Sequence, residues 1–173
     1  MKNSENDLIE GVNSGSRVCL SKLISLVESD KSAIFRIIDS LNKRTESSYV
    51  IGITGPPGAG KSTLTNRLIQ NYRKKNLSVA VLAVDPSSPF TGGAVLGDRI
   101  RMQEHALDDG VFIRSIGSRG DLGGLSSATS AIIKLFDSFG IDIVLIETVG
   151  VGPVSYTHLR AHETEADLVF RLL

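Results

Sequence analysis

Over residues 7–44 apolar positions recur at helical spacing: Leu20, Leu23, Ile24 and Val27, then Ile34, Ile37, Ile38 and Leu41. Steps of three and four place such side chains on one stripe, so the pattern predicts two amphipathic helices, with Asp30 between them to cap the second. Nothing in this stretch carries reactive chemistry, and its stripes read as packing surfaces. At Tyr49 the pattern changes. YVIGIT is a short β-branched run, followed by a glycine-rich loop and a helical pattern from about Ser62 to Lys75. SVAVLAVD (78–85), VFIRSI (111–116) and IDIVLIE (141–147) repeat the strand signal, while GDRIRMQEHAL (97–107) and SSATSAIIKLFDSF (126–139) read as helices. Strands alternating with helices predict an α/β fold, a mostly parallel sheet between two helical layers. The near-continuous apolar runs VAVLAV and IDIVLI fit burial from both sides.

Composition narrows the function classes. The 173 residues suit one main domain. Basic and acidic residues balance at 19 each, so no electrostatic footprint points to nucleic acid. Cys19 is the only cysteine, which excludes an internal disulfide and fits a reducing compartment, and it reads as a filler of apolar space. No apolar run approaches the roughly 20 residues needed to span a bilayer. MKNSENDLIEG resembles neither a signal peptide nor a transit sequence, so a cytoplasmic protein independent of membranes is expected.

The chemistry concentrates in GPPGAGKS, residues 55–62, which satisfies G-x-x-x-x-G-K-[ST] between a predicted strand and a predicted helix. A polyphosphate needs many hydrogen-bond donors at one point, and a tight loop running into a helix N-terminus aims backbone N–H groups inward. Pro56 and Pro57 have no N–H to give and stiffen the approach instead. The expected nucleotide site is therefore Gly55, Gly58, Ala59, Gly60, Lys61, Ser62 and Thr63. Within it Lys61 reaches β- and γ-phosphate oxygens and the Ser62 hydroxyl ligates Mg²⁺.

Ligands of open α/β sheets bind beyond the carboxyl ends of the strands. Asp85 and Glu147 end two predicted strands at that edge, and Mg²⁺ takes one or two carboxylates beside phosphates and water. Glu147 is the candidate acid of the second nucleotide motif and, with Lys61, the candidate catalytic pair. Asp85 and Asp98 flank PSSPFTGGAVLG and are metal-site candidates; the plainer alternatives are a turn at Asp85 before Pro86 and a helix cap at Asp98. ETVG (147–150) has the form of a D-x-x-G switch with Glu in place of Asp, in which the Gly150 N–H would bond the γ-phosphate. Arg119 and Asp121 in SRGDLGGLSS read equally as a nucleotide or partner contact or as a plain connecting loop capped by Ser126, and His105 reads as a surface or half-buried residue.

Taken in order, GITGPPGAGKSTL, AVDPSSPFTGGAVLGDRIRM, RSIGSRGDLGGLS and IETVGVG resemble the methylmalonyl-CoA mutase-associated GTPases, the MeaB/ArgK group of P-loop proteins. The resemblance covers about residues 8–152. It implies a GTPase that uses GTP/GDP and Mg²⁺ and escorts an adenosylcobalamin-dependent acyl-CoA mutase, gating cofactor delivery and protecting the mutase. By motif match Lys61 and Ser62 hold phosphates and Mg²⁺, while Asp85, Asp98 and Glu147 carry the metal-site and switch acids. The implied organisation is a helical extension (1–47) and the N-terminal part of a P-loop GTPase domain (48–152). From Pro153 the sequence departs from the family. The guanine-reading N-K-x-D is not in the chain, nor is the helical arm through which the family forms homodimers. PVSYTHLRAHETEADLVFRLL (153–173) resembles a translated adaptor or vector read-through, so the expectation is a non-native tail and an incomplete sheet. Two rival readings stay open: a P-loop ATPase or kinase linked to basic amino-acid transport, and an inactive truncated fragment.

Overall fold

A computed structural model describes residues 4–41, 47–56, 58–85, 105, 107–117 and 127–148. They fall into two compact units, one drawn from Met1–Tyr49 and Leu125–Asp142, the other from Val50–Gly124 and Ile143–Leu173.

The first unit is helical. In place of the expected pair, the N-terminal stretch forms three helices: α1 (Glu5–Asn13), α2 (Arg17–Ser29) and α3 (Lys31–Ser40). The physical reason lies in Ser14-Gly15-Ser16. Gly15 takes φ +84°, a left-handed conformation that ends a helix, and Ser16 caps the next one by accepting from the Cys19 N–H. Ser4 opens α1 with a capping box: its hydroxyl accepts from Asp7 N–H, and the Asp7 carboxylate accepts from Ser4 N–H at 2.9 Å. Asp30 caps α3 as its place in the sequence implies, accepting from Ser32 N–H at 2.8 Å. Leu8, Ile9 and Val12 of α1, Leu20, Leu23, Ile24 and Val27 of α2, and Ala33, Ile34 and Ile37 of α3 are buried. A later helix, α5 (Ser127–Phe139), packs against all three through Ala131, Ile132, Leu135 and Phe136. Helices α1 and α2 approach so closely at Gly11 that any Cβ there would collide with Cys19.

The second unit is the α/β part. It holds β1 (Tyr49–Ile53), α4 (Lys61–Arg73), β2 (Val79–Asp85), β3 (Val111–Gly117) and β4 (Ile143–Thr148). The four strands run in the order β1-β4-β2-β3, and β2 pairs in parallel with both β3 and β4. The register aligns Val79 with Val111 and Ile143, and Val81 with Ile113 and Leu145. Aligned residues of parallel neighbours share a face, and alternate residues share it too. Val79, Val81, Val111, Ile143, Leu145 and Ile53 therefore make one apolar surface, which packs with Ile69, Leu64, Leu68 and Tyr72 of α4. Ala80, Leu82, Phe112, Val144 and Ile146 on the alternate positions are buried as well. Burial on both faces explains why these strands lack a polar alternation.

Candidate functional site

Because the sheet order sets β4 beside β1, the end of β4 lies next to the loop that follows β1. That loop turns through glycines. Gly58 and Gly60 take φ +79° and +80°, and Gly55 takes φ +152°, conformations that a residue with a Cβ adopts only at a cost. Gly60 is the N-cap of α4, and no side chain caps that helix end. The N–H groups of the first turn thus meet whatever lies in front of the loop, which favours an anion.

Lys61 is the first residue of α4 and is only 9% exposed. Its ammonium donates to the carbonyls of Gly55 at 2.9 Å and Pro56 at 3.0 Å. An ammonium has three donors, so these bonds hold the side chain folded against the loop while one donor remains.

Glu147 reaches the site by parity. It aligns with Ala83 and shares the face of Leu145 and Ile143, the face that α4 covers. On α4, Ser62, Thr65 and Ile69 fall at steps of three and four along the stripe that meets the sheet. The C-terminal part of this stripe is apolar core; its N-terminal part is a pair of hydroxyls. Ser62 Oγ donates to Glu147 Oε1 at 2.8 Å, and Thr65 Oγ1 lies 2.9 Å from Oε2. Glu147 is 6% exposed and Thr65 is 0% exposed. Beside them Thr148 Oγ1 bonds Thr54 Oγ1 at 3.0 Å, tying the end of β4 to the start of the loop.

The donor set suits Mg²⁺. A hydroxyl that donates its proton to a carboxylate keeps its lone pairs for a cation, and both groups are hard oxygen donors. Among the described residues no group of three or more His, Cys, Asp or Glu gathers as a closed metal cage. Mg²⁺ is ordinarily held by one or two carboxylates completed by phosphates and water, so an open donor set beside a phosphate loop is the matching arrangement.

The structure thus brings Gly55, Gly58, Ala59, Gly60, Lys61, Ser62 and Glu147 together, with Thr63 exposed in the same first helical turn. Asp85 ends β2 opposite Gly117, one position beyond the pairing of Val84 with Thr148; its side chain lies outside the described residues. Asp98, Gly150, Arg119, Asp121 and the segment 153–173 also lie outside them. His105 is buried, contrary to the expected surface or half-buried position, because its ring meets Asn66 Oδ1 on α4. Thr65 was missed by sequence reasoning. Its signal was the three-residue step from Ser62, which reveals nothing until the helix face that meets β4 is known.

The far end of α4 is braced separately. Arg73 clasps Asp108 with two bonds of 2.9 Å and donates a third, at 2.8 Å, to the Leu77 carbonyl. This guanidinium, and then the Gly110 N–H, hold the Asp108 carboxyl below the usual carboxylate range; the same pairing raises Arg73. Gly110 lacks a Cβ where one would collide with the Arg73 guanidinium.

Residues 20–165 match the family described as methylmalonyl-CoA mutase-associated GTPase MeaB, a range that runs past Pro153. A Pyrococcus horikoshii protein bearing a GTPase name is 52% identical over 159 residues, which is 92% of this chain and 50% of that one. The Escherichia coli GTPase ArgK is 39% identical over 148 residues, covering 83% of this chain and 45% of ArgK. A mouse protein named methylmalonic aciduria type A homolog, mitochondrial, is 38% identical over 159 residues, 84% of this chain and 38% of its own length. The chain spans about half the length of such curated relatives, or less. A solved structure named as an LAO/AO transport system kinase superposes with a TM-score of 0.65 at 28% identity, over 88% of this chain and 46% of that one. The α/β P-loop fold expected from the sequence is the fold observed.

Proposed function

The chain belongs to the family of methylmalonyl-CoA mutase-associated GTPases, and on that premise we propose that it binds GTP with Mg²⁺ at residues 55–63 and hydrolyses it. The observation that carries this reading is the convergence of Ser62 and Glu147 at the mouth of the glycine loop, with Lys61 folded against the same loop. In the reaction, water attacks the γ-phosphorus in line, the bond to the β–γ bridging oxygen breaks, and GDP and phosphate leave. Lys61 exchanges the Gly55 and Pro56 carbonyls for phosphate oxygens and balances their growing charge. Gly58 and Gly60 let the backbone N–H groups approach those oxygens without a Cβ in the way. Ser62 and Glu147 hold Mg²⁺, with Asp85 and Asp98 as the further acids of the site. When bound, Mg²⁺ supplies the Lewis-acid charge that stabilises the transferred phosphoryl group. Gly150 senses the γ-phosphate, and the protein uses that signal as the escort of an adenosylcobalamin-dependent acyl-CoA mutase in the cytoplasm, working as a homodimer. Turnover without a partner is expected to be slow, about 10⁻⁴–10⁻² s⁻¹.

The test is thermal unfolding with and without Mg²⁺–GTP. A ligand at a hundredfold excess over its Kd adds about 2.7 kcal/mol of stability, so the melting temperature rises measurably. Lys61→Ala abolishes the rise, and an ATP arm reads the base preference. A folded chain whose melting temperature ignores every nucleoside triphosphate would end this reading.

A further inference from the structure

We propose that Thr65 is a positioning residue for the magnesium of this site, acting through Glu147. The inference rests on the reading of residues 55–63 as an Mg²⁺–GTP loop and adds to it a residue outside the P-loop motif. Glu147 stands where the D-x-x-G pattern has Asp, one methylene longer and with one more torsion to fix. A single bond from Ser62 to Oε1 would leave the carboxylate free to turn about that contact. The second bond, from Thr65 to Oε2, sets the plane of the group and leaves Oε1, with the Ser62 hydroxyl bonded to it, on the loop side.

Thr65 is built for that task. It is fully buried, so its oxygen is withdrawn from solvent, and it sits one turn beyond Lys61 inside α4. Its hydroxyl also lies 3.0 Å from the Lys61 carbonyl, the back-bond of a helical threonine, which holds χ1 in one well. One hydroxyl proton serves both acceptors, so the oxygen is fixed between them. Thr65 therefore ties together the backbone of the phosphate-binding lysine and the side chain of the metal-site acid. Outer partners of this kind orient a metal's direct ligands, and their loss commonly weakens metal affinity about 10–100-fold.

The experiment titrates a fluorescent GTP analogue against wild type, Thr65→Val and Thr65→Ser, first in EDTA and then across Mg²⁺ concentrations. Thr65→Val keeps shape and removes the hydroxyl. It is expected to raise the half-saturating Mg²⁺ concentration about 10–100-fold while leaving Mg²⁺-free affinity as in wild type. Thr65→Ser restores the hydroxyl and the wild-type Mg²⁺ response. The proposal is overturned if Thr65→Val responds to Mg²⁺ as wild type does, or if it weakens binding equally with and without Mg²⁺. It is also overturned if Thr65→Ser behaves like Thr65→Val, since the methyl would then be the part that matters. Should Thr65→Val fail to fold by circular dichroism, Thr65→Ala takes its place, and two unfolded variants would mark Thr65 as purely structural and overturn the idea. A folded wild type with no nucleotide uptake removes the function proposed above, whereas a wild type that binds Mg²⁺–GTP beside an unaffected Thr65→Val removes this inference alone.

Discussion

Asp108 answers to two donors, the Arg73 guanidinium and the Gly110 N–H, and the first is the stronger. The folded carboxyl titrates below its unfolded value, so the clasp contributes stability that is complete above about pH 4 and fades as pH falls through the lowered folded value. Asp108→Asn keeps an acceptor for Gly110 and removes the charge. It should cost about 1–2 kcal/mol at neutral pH, and the gap to wild type should narrow as the solution is acidified; denaturant melts at pH 7 and at a series of acidic pH values measure both. A gap of constant size would show that charge is not the cause. Single residues were legible in the sequence wherever a motif fixes their spacing: Lys61 and Ser62 by the loop, Glu147 by its strand end. Thr65, Asn66 and Arg73 were not, because each acquires its role from a partner on another element.

Within each element, propensity and caps decided the outcome. The strands of the second unit read correctly because a run such as IDIVLI has few alternatives when both of its faces are buried. The N-terminal stretch read one helix short. Leu8, Ile9 and Val12 have helical spacing, but the apolar pattern alone does not show that Gly15 turns the chain and that Ser16 restarts it. The packing of α1 on α2 then depends on Gly11, where a methyl would come within 2.8 Å of Cys19 Cβ and closer still to its sulfur. Rotating the cysteine relieves only the sulfur, so the helices must part. Gly11→Ala is expected to destabilise the chain by about 1–3 kcal/mol in urea unfolding, despite the better helix propensity of alanine. An unchanged midpoint would mean that α1 shifts without loss.

For the molecule as a whole, balanced charge has a solution consequence. With 19 basic and 19 acidic residues, little net repulsion keeps copies apart near neutral pH. Solubility should pass through a minimum there and rise toward pH 9, as light scattering across pH would record; a flat profile would contradict this. The α/β class was legible from the alternation of strands and helices, but the strand order was not. The chain gives no local signal that β4 inserts beside β1, and that insertion is what carries Glu147 to the loop. The folded-in Lys61 carries a consequence for selectivity. Its two carbonyl partners are neutral acceptors at ordinary hydrogen-bond range, so an anion that draws the ammonium away from them must offer a stronger acceptor. Clustered charged oxygens meet that condition better than a lone weak acceptor, so a triphosphate chain is expected to draw Lys61 off its carbonyls more readily than a monophosphate, which competition of each against a labelled triphosphate would check.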